Sequence, residues 1–219
     1  MKRSYEQEIM DDFSIQDERI DNALLELKII NKYLGGISTT LSALQIIASN
    51  KREETRILDI GSGSSDNLIA AKNKFPKIKL LSIDKNLRTL TATKNSTNKI
   101  NSDAFALPFK DESCDLIHAA LFLHHFAEEE IKILLKEFLR ISKKGIIIND
   151  LQRSYISLLG IKLLTTLFSK SDMVKHDAPI SVKRGFTKSE INTIFNFPST
   201  SKFIVKRKWA FRWMVVIEK

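Results

Sequence analysis

A chain of 219 residues with 43% apolar side chains suits one α/β domain, and its single cysteine, Cys114, excludes an internal disulfide and a cysteine-built metal site. The polar opening MKRSYEQEIMDD does not read as a secretory signal. The most apolar run, Tyr155 to Phe168, contains Gly160 and Lys162 and falls short of the roughly 18 residues a membrane span needs, so a cytoplasmic protein is expected. The net charge of +9 leaves an acidic carrier protein or a membrane surface open as contacts of a basic face, but the lysines are spread out and no basic run marks a DNA-binding groove.

Ile20, Leu24, Leu27, Ile30 and Leu34 recur at steps of three and four, which predicts a helix that the glycine pair 35–36 stops. A second helix is expected over Ser38 to Ser49. The pattern then changes to alternation. RILDI (56–60) reads as a buried strand, with a helix from Ser64 to Asn73 after it. IKLLSID (78–84) is a second strand, NLRTLTATK (86–94) a short helix, KINSD (99–103) a third short strand and CDLIHAA (114–120) a fourth. Residues 127–145 predict a long helix, with Glu128, Glu129 and Glu130 in its first turn, Lys143 and Lys144 at its end and Gly145 as its stop. IIIND (146–150) is a fifth strand. An apolar helix over 155–168 precedes a polar loop carrying His176, Asp177, Arg184 and Phe186, and KFIVKRKW and FRWMVVIE form a terminal strand pair. Strands alternating with helices predict an α/β fold with a doubly wound, mostly parallel sheet, whose ligand lies beyond the carboxyl ends of the strands.

The turn after the first strand, ILDIGSGSSD, carries Gly61 and Gly63, which permit a tight turn and close approach of a ligand to the backbone. A dinucleotide fingerprint wants a third glycine where Asp66 stands, a carboxylate in the place of a pyrophosphate. Acids instead end successive strands. Asp59 precedes the turn, Asp84 can accept from both hydroxyls of a ribose, and Asp103 can receive an adenine amino group. A ligand with an amine, a ribose and an adenine but no phosphate matches them, and S-adenosylmethionine (SAM) is such a ligand.

On these residues the chain resembles a class I SAM-dependent methyltransferase. LDIGSGSSD is similar to the family's first motif, LSIDKN to its ribose-binding acidic turn, and SDAFALPFKDESCDLIHAALFLHH to the stretch from the adenine loop through strand four. The resemblance covers Ile57 to Ile148 and implies a seven-stranded Rossmann-like sheet whose last strand is antiparallel. It places Gly61 and Gly63 under the methionyl part, Asp84 on the ribose, and Asp103 with Ala104 at the adenine. It divides a single domain into an N-terminal helical cap (1–50), a SAM-binding core (51–150), a substrate insert or lid (151–200) and a strand pair (201–219). Two positions depart from the family: Ser65 stands for a glycine, which a negative φ would accommodate, and Lys85 for an apolar residue, where its methylenes can lie on the adenine ring.

LFLHHF puts His124 and His125 after strand four, where relatives of the ubiquinone and menaquinone type often carry histidine. They are general-base candidates beside the alternative of a histidine bonded to backbone. Asn149, Asp150 and Arg153 are expected on the substrate side, Arg153 to steady an anionic oxygen or else to pair with Asp150. Metal-dependent catechol methyltransferases need a further acid after strand four; Ala119 and Ala120 stand there, so no metal is expected. The apolar helix is either a lid over a greasy acceptor or a plain core helix. The combination NDLQRS (149–154), HDAPISVKRGFT (176–187) and FRW (211–213) resembles bacterial methyltransferases encoded beside polyketide and aromatic-lipid pathways. These features imply methyl transfer to a small apolar, aromatic or polyketide-type acceptor, most readily on oxygen. The alternatives are C-methylation of a quinone precursor, RNA methylation, against which AALF stands in place of an NPPY-like motif, and a non-catalytic SAM-binding protein.

Overall fold

The computed structural model describes residues 1–48, 50, 53–91, 98–196 and 200–219. Its strands are β1 (Thr55–Ile60), β2 (Ile78–Asp84), β3 (Asn98–Asn101), β4 (Cys114–Ala120), β5 (Ser142–Leu151), β6 (Lys202–Lys208) and β7 (Arg212–Glu218), and they form one seven-stranded sheet in the order β3-β2-β1-β4-β5-β7-β6. β1 to β5 pair in parallel, and β7 runs antiparallel between β5 and β6. This is the mixed Rossmann-like sheet expected. The order reverses between β1 and β4, so the crevice for a ligand opens past Ile60 and Ala120.

Strand alternation divides the core into two layers. Ile57, Leu116, Ile147 and Val216 face α2 (Gly36–Ile47) and α3 (Asp66–Ala71). Leu58, Ile117, Ile146, Ile148 and Ile217 face α5 (Glu128–Ile141) and α8 (Lys188–Ile194), where Phe138 and Phe195 are fully buried. A third cluster lies above the sheet. Ile20, Ala23 and Leu24 of α1 (Glu18–Tyr33) pack on Met173 and Val174 of α7 (Asp172–Arg184). The remaining helices are α4 (Leu87–Thr91) and α6 (Tyr155–Phe168).

Four segments differ from the sequence expectation. The helix after β4 stops at Ile141: Ser142 is already extended and pairs with Cys114, so Lys143, Lys144 and Gly145 belong to β5. Gly145, expected as a helix stop, has φ 137° and is a strand glycine; a Cβ there would lie 1.9 Å from the Ile217 carbonyl oxygen. The expected polar loop is helical. Ser171 caps α7, which continues through Pro179 to Gly185, and Thr187 with Glu190 forms a capping box that starts α8. Polar composition and an internal proline concealed α7. α2 begins at Gly36 rather than Ser38, and α3 is shorter than expected. The last three residues of the predicted helix 86–94, and Ser49, lie outside the described residues. Among those residues, no helix is long and apolar enough to cross a membrane.

Candidate active site

Past β1 the backbone enters the left-handed region three times, at Gly61 (φ 61°), Gly63 (φ 51°) and Ser65 (φ 53°). At Gly61 a side chain is doubly excluded, because a Cβ would stand 2.1 Å from the Phe122 ring. Ser65 does not take the negative φ expected of it. Its hydroxyl bonds that of Ser82 at 2.8 Å, which holds the strained conformation. The Ser62 amide donates to the Ile83 carbonyl, and the Gly63 amide to Asp84 Oδ2 at 2.9 Å, so the turn is sewn to β2.

The acids lie as the strand ends dictate. Asp84 accepts the Gly63 amide on Oδ2 and the Asn86 amide on Oδ1, and each oxygen keeps a second lone pair. Burial raises its carboxyl above the ordinary value, against those two amide bonds. Asp103 accepts from Lys85 Nζ at 2.7 Å, which lowers its carboxyl, and from the Phe105 amide. Lys85 also sits 5.5 Å from the centre of the Phe13 ring. Lys85 and Asp103 thus close one edge of the cavity as a pair, beside the buried Ala104. Asp59 is buried beneath the turn, 2.7 Å from His118 Nδ1. His118 Nε2 meets Thr40, which accepts from Asn149, and Arg212 donates to the Asn149 oxygen. This polar chain ties the floor of the site to the joint between α1 and α2.

Beyond the floor the same cavity, about 790 Å³, continues under α1, α6 and α7, a size ordinary for small-molecule sites. Leu27, Ile30 and Leu34 of the predicted α1 stripe line it, and Ile161, Leu164 and Val182 face them. His124 and His125 line it from a 3-10 turn, Leu123–His125, their rings 4.3 Å apart.

Each histidine has an acid. His124 Nδ1 lies 2.7 Å from Asp150 Oδ1, and its Nε2 lies 3.6 Å from Glu8 Oε1, an ion-pair rather than hydrogen-bond distance. Burial alone would lower the His124 pKa; Asp150 and Glu8 outweigh it and raise it to about 9. The same pairing lowers Asp150 and Glu8 in spite of their burial, so His124 is an imidazolium at neutral pH. His125 Nδ1 lies 2.8 Å from Asp11 Oδ1, and Asp11 is held far below its ordinary value, against burial, by His125 and Arg184. Arg184 reaches Asp11 Oδ2 at 2.7 Å and donates to the His125 carbonyl at 2.6 Å, and Arg3 donates to the carbonyls of His124 and Phe126. Glu8 and Asp11 are delivered by an N-terminal 3-10 turn, Ile9–Asp11, whose Ile9 and Met10 amides donate to the two oxygens of Asp177.

Three expected residues are elsewhere. Arg153 does not line the cavity: it is buried, donating to the Gly185 carbonyl at 2.9 Å and to Glu190 at 2.5 Å, not to Asp150. Asn149 and Asp150 are fully buried and serve Thr40, Arg212 and His124 from behind. Conversely, Glu8, Asp11 and Arg184 were not singled out as site residues. No local pattern connects MDD near the start of the chain to a histidine pair far along it. One donor atom from each of Glu8, His124 and His125 converges within 4.8 Å, a set open to a metal ion that the strand ends do not supply. Yet Arg184 Nη1 stands 3.8 Å from Glu8 Oε1, and His124 is protonated, so the chain itself already supplies cationic charge there.

The sheet order, glycine turn and strand-end acids define the fold of class I methyltransferases. Residues 58–148 match the family described as a methyltransferase domain, which binds SAM. No curated protein sequence matches the chain. Among solved structures it is similar to human N-acetylserotonin methyltransferase in complex with SAM, with a TM-score of 0.68 and 18% identity over 100% of this chain and 63% of that one. It is also similar to the plantazolicin methyltransferase BpumL in complex with SAH, with a TM-score of 0.63 and 17% identity over 96% of this chain and 98% of that one. A Nostoc punctiforme protein described as an O-methyltransferase gives a TM-score of 0.61 and 18% identity over 85% of this chain. The chain spans 57% of the length of the Nostoc protein and 63% of the human enzyme.

Proposed function

We propose that the protein is a SAM-dependent methyltransferase acting on the oxygen of a small apolar acceptor, aromatic or polyketide-like, with His125 as general base. The observation that carries this reading is one continuous cavity lined both by the glycine turn and, among apolar side chains, by the His125–Asp11 pair. Bound SAM supplies a methyl group on a sulfonium, which a nucleophile takes by direct displacement. Gly61 and Gly63 give its methionyl part room, Asp84 takes the ribose hydroxyls, and Asp103 with Ala104 faces the adenine, Lys85 shielding that edge. Asp59 lies beneath the glycine turn, 2.7 Å from His118 Nδ1.

Asp11 Oδ1 stands 2.8 Å from His125 Nδ1, which leaves Nε2 as the nitrogen to take the acceptor's hydroxyl proton in this scheme. His124 cannot play that part at neutral pH, since it already holds its proton; it acts as a fixed positive charge beside the oxygen that becomes anionic. Arg184 and Arg3 hold the backbone of both histidines and position them. A phenol whose ring carbon receives the methyl group would use the same base, and product analysis separates that outcome. No metal is required in this scheme, because His124 and Arg184 supply the charge that a cation would.

The test is His125→Ala. Turnover on a phenolic acceptor is expected to fall about a hundredfold to ten-thousandfold, with SAM affinity intact and partial recovery at high pH, where the phenol ionises unaided. Normal turnover at neutral pH would overturn the assignment of the base, and a chain that binds no SAM would overturn the whole reading.

A further inference from the structure

Among the described residues, the outer face of α6 has no packing partner. Ile156, Leu159, Leu163 and Leu167 recur at steps of three and four and are each 60 to 71% exposed, while Gly160, Ile161 and Leu164 of the same helix line the cavity. α1 repeats the arrangement, with Leu25, Ile29 and Tyr33 exposed and Leu27, Ile30 and Leu34 on the cavity. The two helices are joined at one end where Glu26 accepts from the Ser169 hydroxyl and the Lys170 and Ser171 amides. At the other end the β6–β7 turn spans them: Trp209 donates to the Tyr33 carbonyl, and Phe211 accepts from the Gln152 amide just before α6. Trp209 and Phe211 are exposed and line the cavity as well. The cavity is thereby framed by two helices and a turn whose outward side chains are greasy, far beyond the single exposed apolar residues of an ordinary surface.

The charges along α6 and the turn beside it are mainly positive. α6 contains no acid and carries an exposed Lys162, with Lys170 just beyond its end. The strand before Trp209 ends with Lys206, Arg207 and Lys208, and α1 adds Lys32, while its Lys28 pairs with Asp66 at 3.3 Å. The acids of α1 at this end have partners, Glu26 in the joint and Asp21 with Arg88. An apolar stripe bordered by cations matches the interface of an anionic bilayer, acyl region against the leucines and headgroups against the lysines. A second copy of the chain is a poorer occupant, because two molecules of charge +9 would bring these same lysines together.

We propose that the face formed by α6, α1 and the 208–212 turn docks on anionic membrane, so that the cavity opens toward lipid. The docking stands on this surface alone; only the idea that an apolar acceptor passes directly from the bilayer rests on the methyltransferase reading. The test is flotation of the full chain with vesicles of phosphatidylcholine, alone and with about 30 mol% phosphatidylglycerol. Binding to the mixed vesicles is expected, with a blue shift of fluorescence that Trp209→Phe removes, since the other tryptophan, Trp213, is already buried. Leu159→Ser with Leu163→Ser should weaken binding at least about tenfold while SAM affinity is retained, neither side chain lining the cavity. Absence of binding at low salt, or binding that this double variant leaves unchanged, would overturn the proposal. So would a dimer in solution that the double variant converts to monomer, which would make this a self-association face.

Discussion

The cofactor side of the cavity draws Gly61, Gly63, Asp84 and Asp103 from the ends of neighbouring strands and the turns that follow them. The opposite side, proposed to take the acceptor, draws Glu8 and Asp11 from the start of the chain, His124 and His125 from its middle and Arg184 from α7. On the first side the sheet does the positioning: register fixes Asp84 beside the glycine turn whatever the rest of the chain does. On the second, side chains position one another through ion pairs, and no single element could hold the arrangement. The contrast teaches that the two halves should fail separately.

The sharpest test of that separation is Asp11→Ala. Removing the partner that orients His125 should lower turnover about a hundredfold or more under the proposed mechanism, with calorimetric SAM affinity unchanged. A parallel loss of SAM binding would show that the halves are one unit. The reciprocal change, Asp84→Ala, removes the acceptor expected to hold the ribose hydroxyls. It should cost about 1.5–3 kcal/mol of SAM binding, or about tenfold to more than a hundredfold in affinity. Unchanged affinity by calorimetry would remove Asp84 from the site.

A gentler test uses pH. The His124 pKa is raised from 6.5 to about 9, so its contribution to stability is complete below 6.5 and is lost as pH climbs through about 9. Thermal unfolding should therefore show the protein weakening between neutral pH and pH 10, and His124→Gln should flatten that slope. A slope that survives the substitution would place the alkaline loss elsewhere. Smaller still for catalysis is Arg153→Gln. It breaks the contact with Glu190 and should cost about 1–3 kcal/mol of stability while leaving SAM affinity and turnover of the folded protein alone. A fall in turnover without one in stability would return Arg153 to the chemistry. The smallest expected effect is that of EDTA, which should leave activity unchanged; a loss restored by one divalent ion would make Glu8, His124 and His125 a metal centre.

The same contrast explains what could be read from the sequence. β2 and β4 were legible to the residue, and the α/β order with them, because alternation and buried runs encode strands locally. The glycine turn and the strand-end acids were legible because each sits where a locally encoded strand ends. His124 and His125 could be placed beside the cavity by their position after β4. Their roles could not be told apart, since what separates them is Asp150 at one and Asp11 at the other. Arg153 was misplaced for the same reason: position after β5 says where the backbone goes, while Glu190 of α8 decides where the guanidinium points. The leucines of α6 fitted either a lid or a core helix, and only the fold shows that one side faces the cavity and the other faces out.

The grip of Asp177 on the Ile9 and Met10 amides has a consequence for how such a chain can be recombined. It makes the first dozen residues and α7 a matched pair, although most of the sequence lies between them. In a library of chimeras built from related parents, crossovers within the cofactor motifs should be silent, because each motif carries its own geometry. A junction that takes the opening segment from one parent and α7 from another would separate a carboxylate from the two N–H groups it was shaped to receive. Active chimeras should therefore inherit the opening segment and α7 from the same parent.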